Sequence, residues 1–359
     1  MCSELSRYPA FSRLKMAKDL NGQRKKNGGA ALIMALLIVV MVSVLAVTFS
    51  ESFNLNVARS ENRWYGAQAK NYLLATEVMA GYFLEKDASE NTIDELTEEW
   101  TAELVMPTDE GLLEAKLEDA QGRYNLNGLA IKATIPPTNI NPQVHEKFSA
   151  QQKHFIRLLQ IFEDYPLTQQ EAIAITEAAI DWVDDDGDNV TGFGGAESLH
   201  YSNKKPSYQP ANQLFDSVSE LQMVEGMTPK LYRLLEPFIC TLPDEKTTLN
   251  VNTALPQLLR TINRPDDLSP LRAEDVATIQ EERNLQPAEN VNDFFSNPAI
   301  QSIVPIGAAS GGYGVSSDYF IMFAKTTVGE KVRFVISYLY RDHKKDGEVT
   351  TLKRRYTSY

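Results

Sequence analysis

From Ala30 to Phe49 the chain reads AALIMALLIVVMVSVLAVTF, twenty residues without a charge in which only Ser43 and Thr48 are polar. At about 1.5 Å per residue this is roughly 30 Å of helix, the thickness of one bilayer core, and it predicts one membrane-spanning segment. No proline occurs between Ala30 and Met106. Beyond the apolar run, Val57, Tyr65, Tyr72, Leu73, Val78, Met79 and Phe83 recur among polar residues as one face of a helix. A continuous helix over 30–86 is expected, apolar all round at first and one-sided later.

After an acidic linker, ASENTIDELTEEW, the period changes. Leu113, Ala115 and Leu117 alternate with charges as in a strand covered on one face, Gln121-Gly122 marks a turn, and RYNLN reads as a short returning strand. The segments DYFIMFAKTT, KVRFVISYLYRD and EVTTLKRRYTSY alternate more strongly. They are separated by Val328-Gly329-Glu330 and Lys345-Asp346-Gly347, the second containing the Asp-Gly pair that hairpin turns favour, so they predict a three-stranded antiparallel meander. Strands near residue 115 and beyond 317 are expected in one sheet packed on the N-terminal helix. Between them, over 131–299, the pattern is helical, as in QKHFIRLLQIFED and TQQEAIAITEAAIDWVD, and reads as an inserted all-α domain. FDSVSELQMV and AENVNDFFSN share an order of small polar, Val, small polar, acidic and apolar residues, the trace of an internal duplication.

Charge is distributed unevenly. Residues 1–29 have a net +5 while all 359 residues together have −13, leaving −18 for the remainder. An acidic bulk excludes nonspecific nucleic-acid binding, which draws its affinity from clustered cations on phosphates. Arg24, Lys25 and Lys26 precede the apolar run and the first charge after it is Glu51, so the N-terminus is expected in the cytoplasm and the bulk across the membrane. Two cysteines, Cys2 and Cys240, make no disulfide framework.

Asp184, Asp185, Asp186 and Asp188 follow the helix ending near Trp182, with Gly187, Gly192, Gly194 and Gly195 close by and Glu197 beyond. Alternating carboxylates on a turning loop supply the oxygens a hard cation such as Ca²⁺ takes, and an acidic run at a helix C-terminus invites neutralisation. In an EF-hand frame starting at Asp186, Val190 and Thr191 stand where an oxygen ligand and a glycine are required. The residues thus leave two readings, a calcium loop of another kind or a solvated acidic turn. Catalytic constellations are absent from the sequence. His145, His154, His200 and His343 have no metal-ligand spacing, Gly312-Tyr313-Gly314 is only a fragment of a dinucleotide fingerprint, and Cys240 reads as a core residue.

RKKNGG before the apolar run resembles the leader of type IV pilins and pseudopilins, which a prepilin peptidase cuts after the last glycine; an ordinary signal anchor accounts for the leader equally well. The leader, GRYNLNGL, AAIDWVDDDGD, YQPANQLFDSVSEL and TTLNVNTA, in this order and over nearly the whole sequence, resemble the large minor pseudopilin of type II secretion, the general secretion pathway protein K family. The resemblance implies an α+β, pilin-like fold: a cleaved leader (1–29), a transmembrane spine helix (30–86), two pilin-like parts (87–130 and 300–359), and the inserted helical domain (131–299). It implies cleavage between Gly29 and Ala30 and a non-enzymatic subunit of the bacterial inner membrane. Its implied partners are the I-type and J-type minor pseudopilins at the pseudopilus tip, other pseudopilins, the inner-membrane assembly platform and the prepilin peptidase. It also implies Ca²⁺ held by Asp184, Asp186, Asp188 and Glu197, with Asp216 and Glu220 as weaker sources of oxygen. Most relatives carry a glutamate fifth from the processed terminus, where this chain has Met34, which fits a subunit that starts assembly.

Two other classes have some basis. The stretch from Leu249 to Phe295 resembles a helix-hairpin-helix DNA binder, but RPDDLSPLR lacks the hairpin glycines, and residues 251–300 hold four arginines against eight acids. A signal-anchored periplasmic enzyme would require a reactive cluster that the sequence does not contain.

Overall fold

The computed structural model describes residues 28–134, 142–184, 194–196, 198–304, 311–345 and 347–357. A helix, α1, runs over Gly28–Glu90, slightly past the expected Lys86. The chain divides into two compact units at Trp64/Tyr65, within this helix. In the first unit α1 is long and apolar enough to cross a membrane: its most apolar 18-residue window has a mean hydropathy of 3.1, and none of that window is buried in protein. The two hydroxyls of the apolar run 30–49 are satisfied within the helix, Ser43 Oγ donating to the carbonyl of Val39 at 2.8 Å and Thr48 Oγ1 to that of Leu45 at 3.0 Å. In hydrocarbon, where no water can take those protons, this internal bonding makes the polar positions tolerable.

In the second unit the rest of α1 packs on a five-stranded antiparallel sheet. The strands are β1 (Leu104–Thr108), β2 (Gly111–Asp119), β7 (Tyr319–Val328), β8 (Lys331–Asp342) and β9 (Glu348–Thr357), hydrogen-bonded in that order. Sheet neighbours β2 and β7 are far apart in sequence yet pair in one register, from Gly111 opposite Val328 to Asp119 opposite Phe320. Leu73, Ala80 and Leu84 of α1 form a core with Leu113, Ala115 and Leu117 of β2 and with Phe320, Met322, Val335 and Leu339. The alternation read from the sequence follows from this one-sided cover. Gly329 adopts φ +57° in the two-residue turn that joins Val328 to Lys331, a conformation that residues with a Cβ resist. The second connection is longer than a tight Asp-Gly hairpin: a 3₁₀ turn over His343–Lys345 precedes Gly347, itself at φ +79°.

Two expectations are corrected here. The acidic stretch after α1 is a strap pinned by two buried side chains among more exposed ones, with Asp94 1% and Trp100 3% exposed and the Trp100 ring edge-on to Phe320 at 5.3 Å. RYNLN does not return along β2. Its Tyr124–Asn125 (β3) pairs in parallel with Ile239–Cys240 (β4), and the 249–250 pair (β5) lies parallel to Tyr313–Gly314 (β6).

The helical block holds α2 (Ala150–Leu159), α3 (Gln169–Val183), α4 (Ser198–Ser202), α5 (Pro229–Leu235), α6 (Pro256–Leu259), α7 (Ala273–Leu285), α8 (Val291–Ser296) and α9 (Pro298–Ile303). One hydrophobic cluster fills it, drawing on Tyr124, Leu126 and Leu129 before residue 131 and on Ile300, Val304 and Tyr313 after 299. At the join with the sheet lies buried Asp119. It accepts from Ser317 Oγ at 2.6 Å, Thr253 Oγ1 at 2.5 Å, Asn250 Nδ2 at 3.1 Å and the Gln121 amide at 2.7 Å. Burial raises its pKa, and these four donors pull against that rise.

Candidate functional site

The acidic loop is built outward from α3. This helix starts at a capping box, Thr168 Oγ1 accepting from the Glu171 amide at 3.3 Å while Glu171 Oε2 accepts from the Thr168 amide at 2.8 Å. Its sequence ITEAAIDWV is apolar except for Thr176, Glu177 and Asp181, all three without exposure. Thr176 Oγ1 donates back to the carbonyl of Ala172 at 2.7 Å. Glu177 and Asp181, one turn apart and hence on one face, reach past the helix to the far side of the loop: Glu177 Oε2 accepts from the Gly194 amide and Asp181 Oδ2 from the Ala196 amide, both at 2.7 Å. Gly194 presses against the helix so closely that a Cβ there would stand 2.5 Å from the Cα of Ala174. The two carboxylates therefore fasten the point where the loop returns to the domain.

At the start of the loop Asp184 terminates α3, its amide bonded to the carbonyl of Ile180 at 3.0 Å. Its carboxylate is 13% exposed and lies 3.8 Å from the ammonium of Lys132. A carboxylate at a helix C-terminus meets the negative end of the macrodipole, so a cation there is favoured. Asp186, Asp188 and Glu197 lie outside the described residues. The four residues expected to hold a cation are all carboxylates, a chemistry that would suit a hard cation such as Ca²⁺ and not a soft one; of the four, Asp184 is among the described residues.

The weaker candidates have other partners. Asp216 pairs with Lys353 of β9 at 2.9 Å, and Glu220 Oε1 accepts from the amides of Asp216 and Ser217, both at 2.9 Å, capping the 3₁₀ turn Val218–Met223. His200 contacts Glu225 at 3.1 Å at the surface, and the Cys240 thiol, pushed up to about 12 by burial, donates to the carbonyl of Ala120. Gly29 and Ala30 stand in the first turns of α1, and Met34 is 65% exposed further along it. Glu177 and Asp181 escaped the sequence reading; the signal was two acids four residues apart inside an otherwise apolar helix just ahead of an acidic loop.

A long apolar helix, a continuation laid on an antiparallel sheet, and a helical block set between neighbouring strands define a pilin-like protein. A protein in the crystal structure of the GspK–GspI–GspJ complex from the enterotoxigenic Escherichia coli type 2 secretion system shares this fold. The TM-score is 0.68 at 22% identity, over 84% of this chain and all of that one. The family model for type II secretion system (T2SS) protein K matches residues 122–244. Type II secretion system protein K of Klebsiella pneumoniae is 30% identical over 344 residues, 92% of this chain and 97% of its own length. The protein of the same name from Pseudomonas aeruginosa is 29% identical over 341 residues, 92% and 93% of the two lengths. The chain belongs to the type II secretion system protein K family and is, as a pseudopilin, a structural component of that machinery.

Proposed function

We propose that this protein is the minor pseudopilin that caps the type II secretion pseudopilus together with I-type and J-type partners, and that it helps start pseudopilus assembly. The observation that carries the reading is the helical block inserted between β2 and β7, next neighbours in the sheet. A domain of this bulk would obstruct a subunit repeated at each small axial step, whereas at one end of a filament it meets no copy above it. The related solved protein was crystallised with I and J proteins. Met34, in place of an acid that could pair with a neighbour's N-terminal ammonium, supports a first position in assembly, since a buried charge among apolar helices is costly unless paired.

The leader is cut after Gly29, releasing Ala30 as the N-terminus; the segment before α1 stays on the cytoplasmic side of the inner membrane and the remainder is periplasmic. Other pseudopilins and the inner-membrane assembly platform receive the cut subunit. Gly29→Leu should leave an intact leader by mass spectrometry in cells that hold the peptidase, where the unaltered protein loses it. When bound, Ca²⁺ would cross-link the loop after α3 through Asp184, Asp186, Asp188 and Glu197, while Glu177 and Asp181 hold the loop's return from the helix side. The subunit acts by binding and carries no reaction of its own. Mixing the periplasmic parts of this protein and of its I-type and J-type partners should give a 1:1:1 species by size-exclusion chromatography with light scattering. Elution of this subunit apart from both partners would overturn the reading.

A further inference from the structure

Near the end of the helical block, the last turn of α7, the loop after it, α8 from Asp293 on and the start of α9 line a concavity of about 420 Å³. Arg283, in that last turn of α7, lines it and is only 4% exposed. Its Nη1 donates to the carbonyls of Ala254 at 2.6 Å and Val251 at 3.3 Å, while its buried Nε has no acceptor. No carboxylate lies within ion-pair distance of the guanidinium among the described residues, and burial alone pulls its pKa down, to about 10. A guanidinium taken out of water without a counter-charge is costly, and its planar fork matches a carboxylate in particular.

The acids around the concavity do not supply that charge. Glu282, accepting from Asn297 Nδ2 at 3.0 Å, and Asp293, accepting from Asn290 Nδ2 at 2.5 Å, keep their charge but are not ion-paired with Arg283, and Glu289 is exposed at the rim. A ligand with only negative charge would meet these acids unfavourably, whereas one that sets a basic group beside its carboxylate satisfies both signs.

We propose that this concavity binds the carboxylate of a polypeptide with a basic residue next to it, the carboxylate pairing with Arg283 and the basic group with Glu289. The carboxylate comes from a polypeptide's C-terminus or from an Asp or Glu within it. The inference stands apart from the calcium loop and from the identity of the filament partners. Isothermal titration of the full-length protein in detergent micelles with acetyl-Lys-Gly, acetyl-Lys-Asp-amide and acetyl-Lys-Gly-amide separates the possibilities. One or both carboxylate probes should bind about tenfold tighter than acetyl-Lys-Gly-amide, which lacks a carboxylate, as a charge-assisted hydrogen bond requires, and the tighter of the two names the source. Arg283→Met should abolish the difference. Because Arg283 also holds two carbonyls, Glu289→Gln provides a second variant at an exposed position: it should weaken the carboxylate probes about threefold and leave the ratio to the amide unchanged. Equal affinity for all three probes, or no heat from any of them, would overturn the proposal.

Discussion

The sheet layer and the helical block both bury charge, but they neutralise it differently. In the sheet layer, Asp119 at the join apart, charge meets charge. Arg341, 2% exposed on β8, contacts Asp87 at 2.9 Å and Asp94 at 2.6 Å and lies over the Phe320 ring at 4.8 Å. Glu77 of α1 accepts from Arg354 Nε at 2.8 Å, Ser337 Oγ at 2.7 Å and Thr351 Oγ1 at 2.7 Å, tying the helix to β8 and β9. In the helical block charge meets backbone. Arg157, also 2% exposed, donates to the carbonyls of Thr261, Arg264 and Asp267 at 2.6 to 3.0 Å, and Glu177 and Asp181 accept from amides. The sheet's ladders already satisfy its backbone, so its buried ions are available to lock α1 and the strap in place. The helical block is short helices joined by long connections, whose carbonyls and amides would be orphaned without side-chain partners.

The two regions should therefore fail differently, and four perturbations test this in order of size. Arg341→Met strands Asp87 and Asp94 and should cost about 3–5 kcal/mol near neutral pH, as removal of one partner from a buried pair does. Burial raises the pKa of both aspartates, so the loss should shrink as the pH falls toward 3.8 and the stranded carboxylates protonate; chemical denaturation at several pH values measures this. Chelation tests the other region: with the loop after α3 holding Ca²⁺ as proposed, removing the ion from a hundredfold excess over its Kd should cost about 2.7 kcal/mol. Hydrogen exchange should place the loosening in α3 and residues 194–196, with the sheet untouched.

Arg157→Met unpairs three carbonyl groups, that of Thr261 in a buried hydrogen bond and those of Arg264 and Asp267 in partly buried ones, and should cost about 1–3 kcal/mol, the same at pH 5 as at pH 8 because the lost partners do not titrate. A loss that varied with pH as for Arg341→Met would erase the distinction between the regions. The smallest effect is expected at Glu98. Desolvation, with Asp87 and Asp94 adding to it, pushes this group up to about 7 against donors from the Glu95 amide and Trp100 Nε1. The folded protein thus holds a proton that the unfolded one releases near 4.5, and stability falls as pH rises from there toward 7. Glu98→Gln should flatten that slope, gaining more at pH 8 than at pH 5 in thermal melts.

Much of the architecture was legible because it rests on periodicity. Twenty apolar residues in a row and the period-two strands leave few alternatives, and Arg341 itself is in phase with Val335, Ser337 and Leu339 on the inward face of β8. That phase was the available signal for a buried ion pair; composition disguised it, since Asp94, one of the two acids that receive it, sits in a stretch read as an acidic linker. The parallel pairs β3–β4 and β5–β6 were illegible because two residues carry no period. Contacts distant in sequence fix them, such as Asn125 Oδ1 of β3 accepting from the amide of Leu242, just past β4, at 3.0 Å. At the loop after α3 the acids were legible and the brace was not, since Glu177 and Asp181 count as ordinary polar positions until the helix face they share is known to be inside.

The most direct test of the tip assignment is where the subunit lies on the assembled filament. Gold-labelled subunit on isolated pseudopili should appear once, at a single end, and filaments should be fewer when it is deleted. Label distributed along the filament length would contradict the account, because a subunit with this inserted block could then repeat at every step.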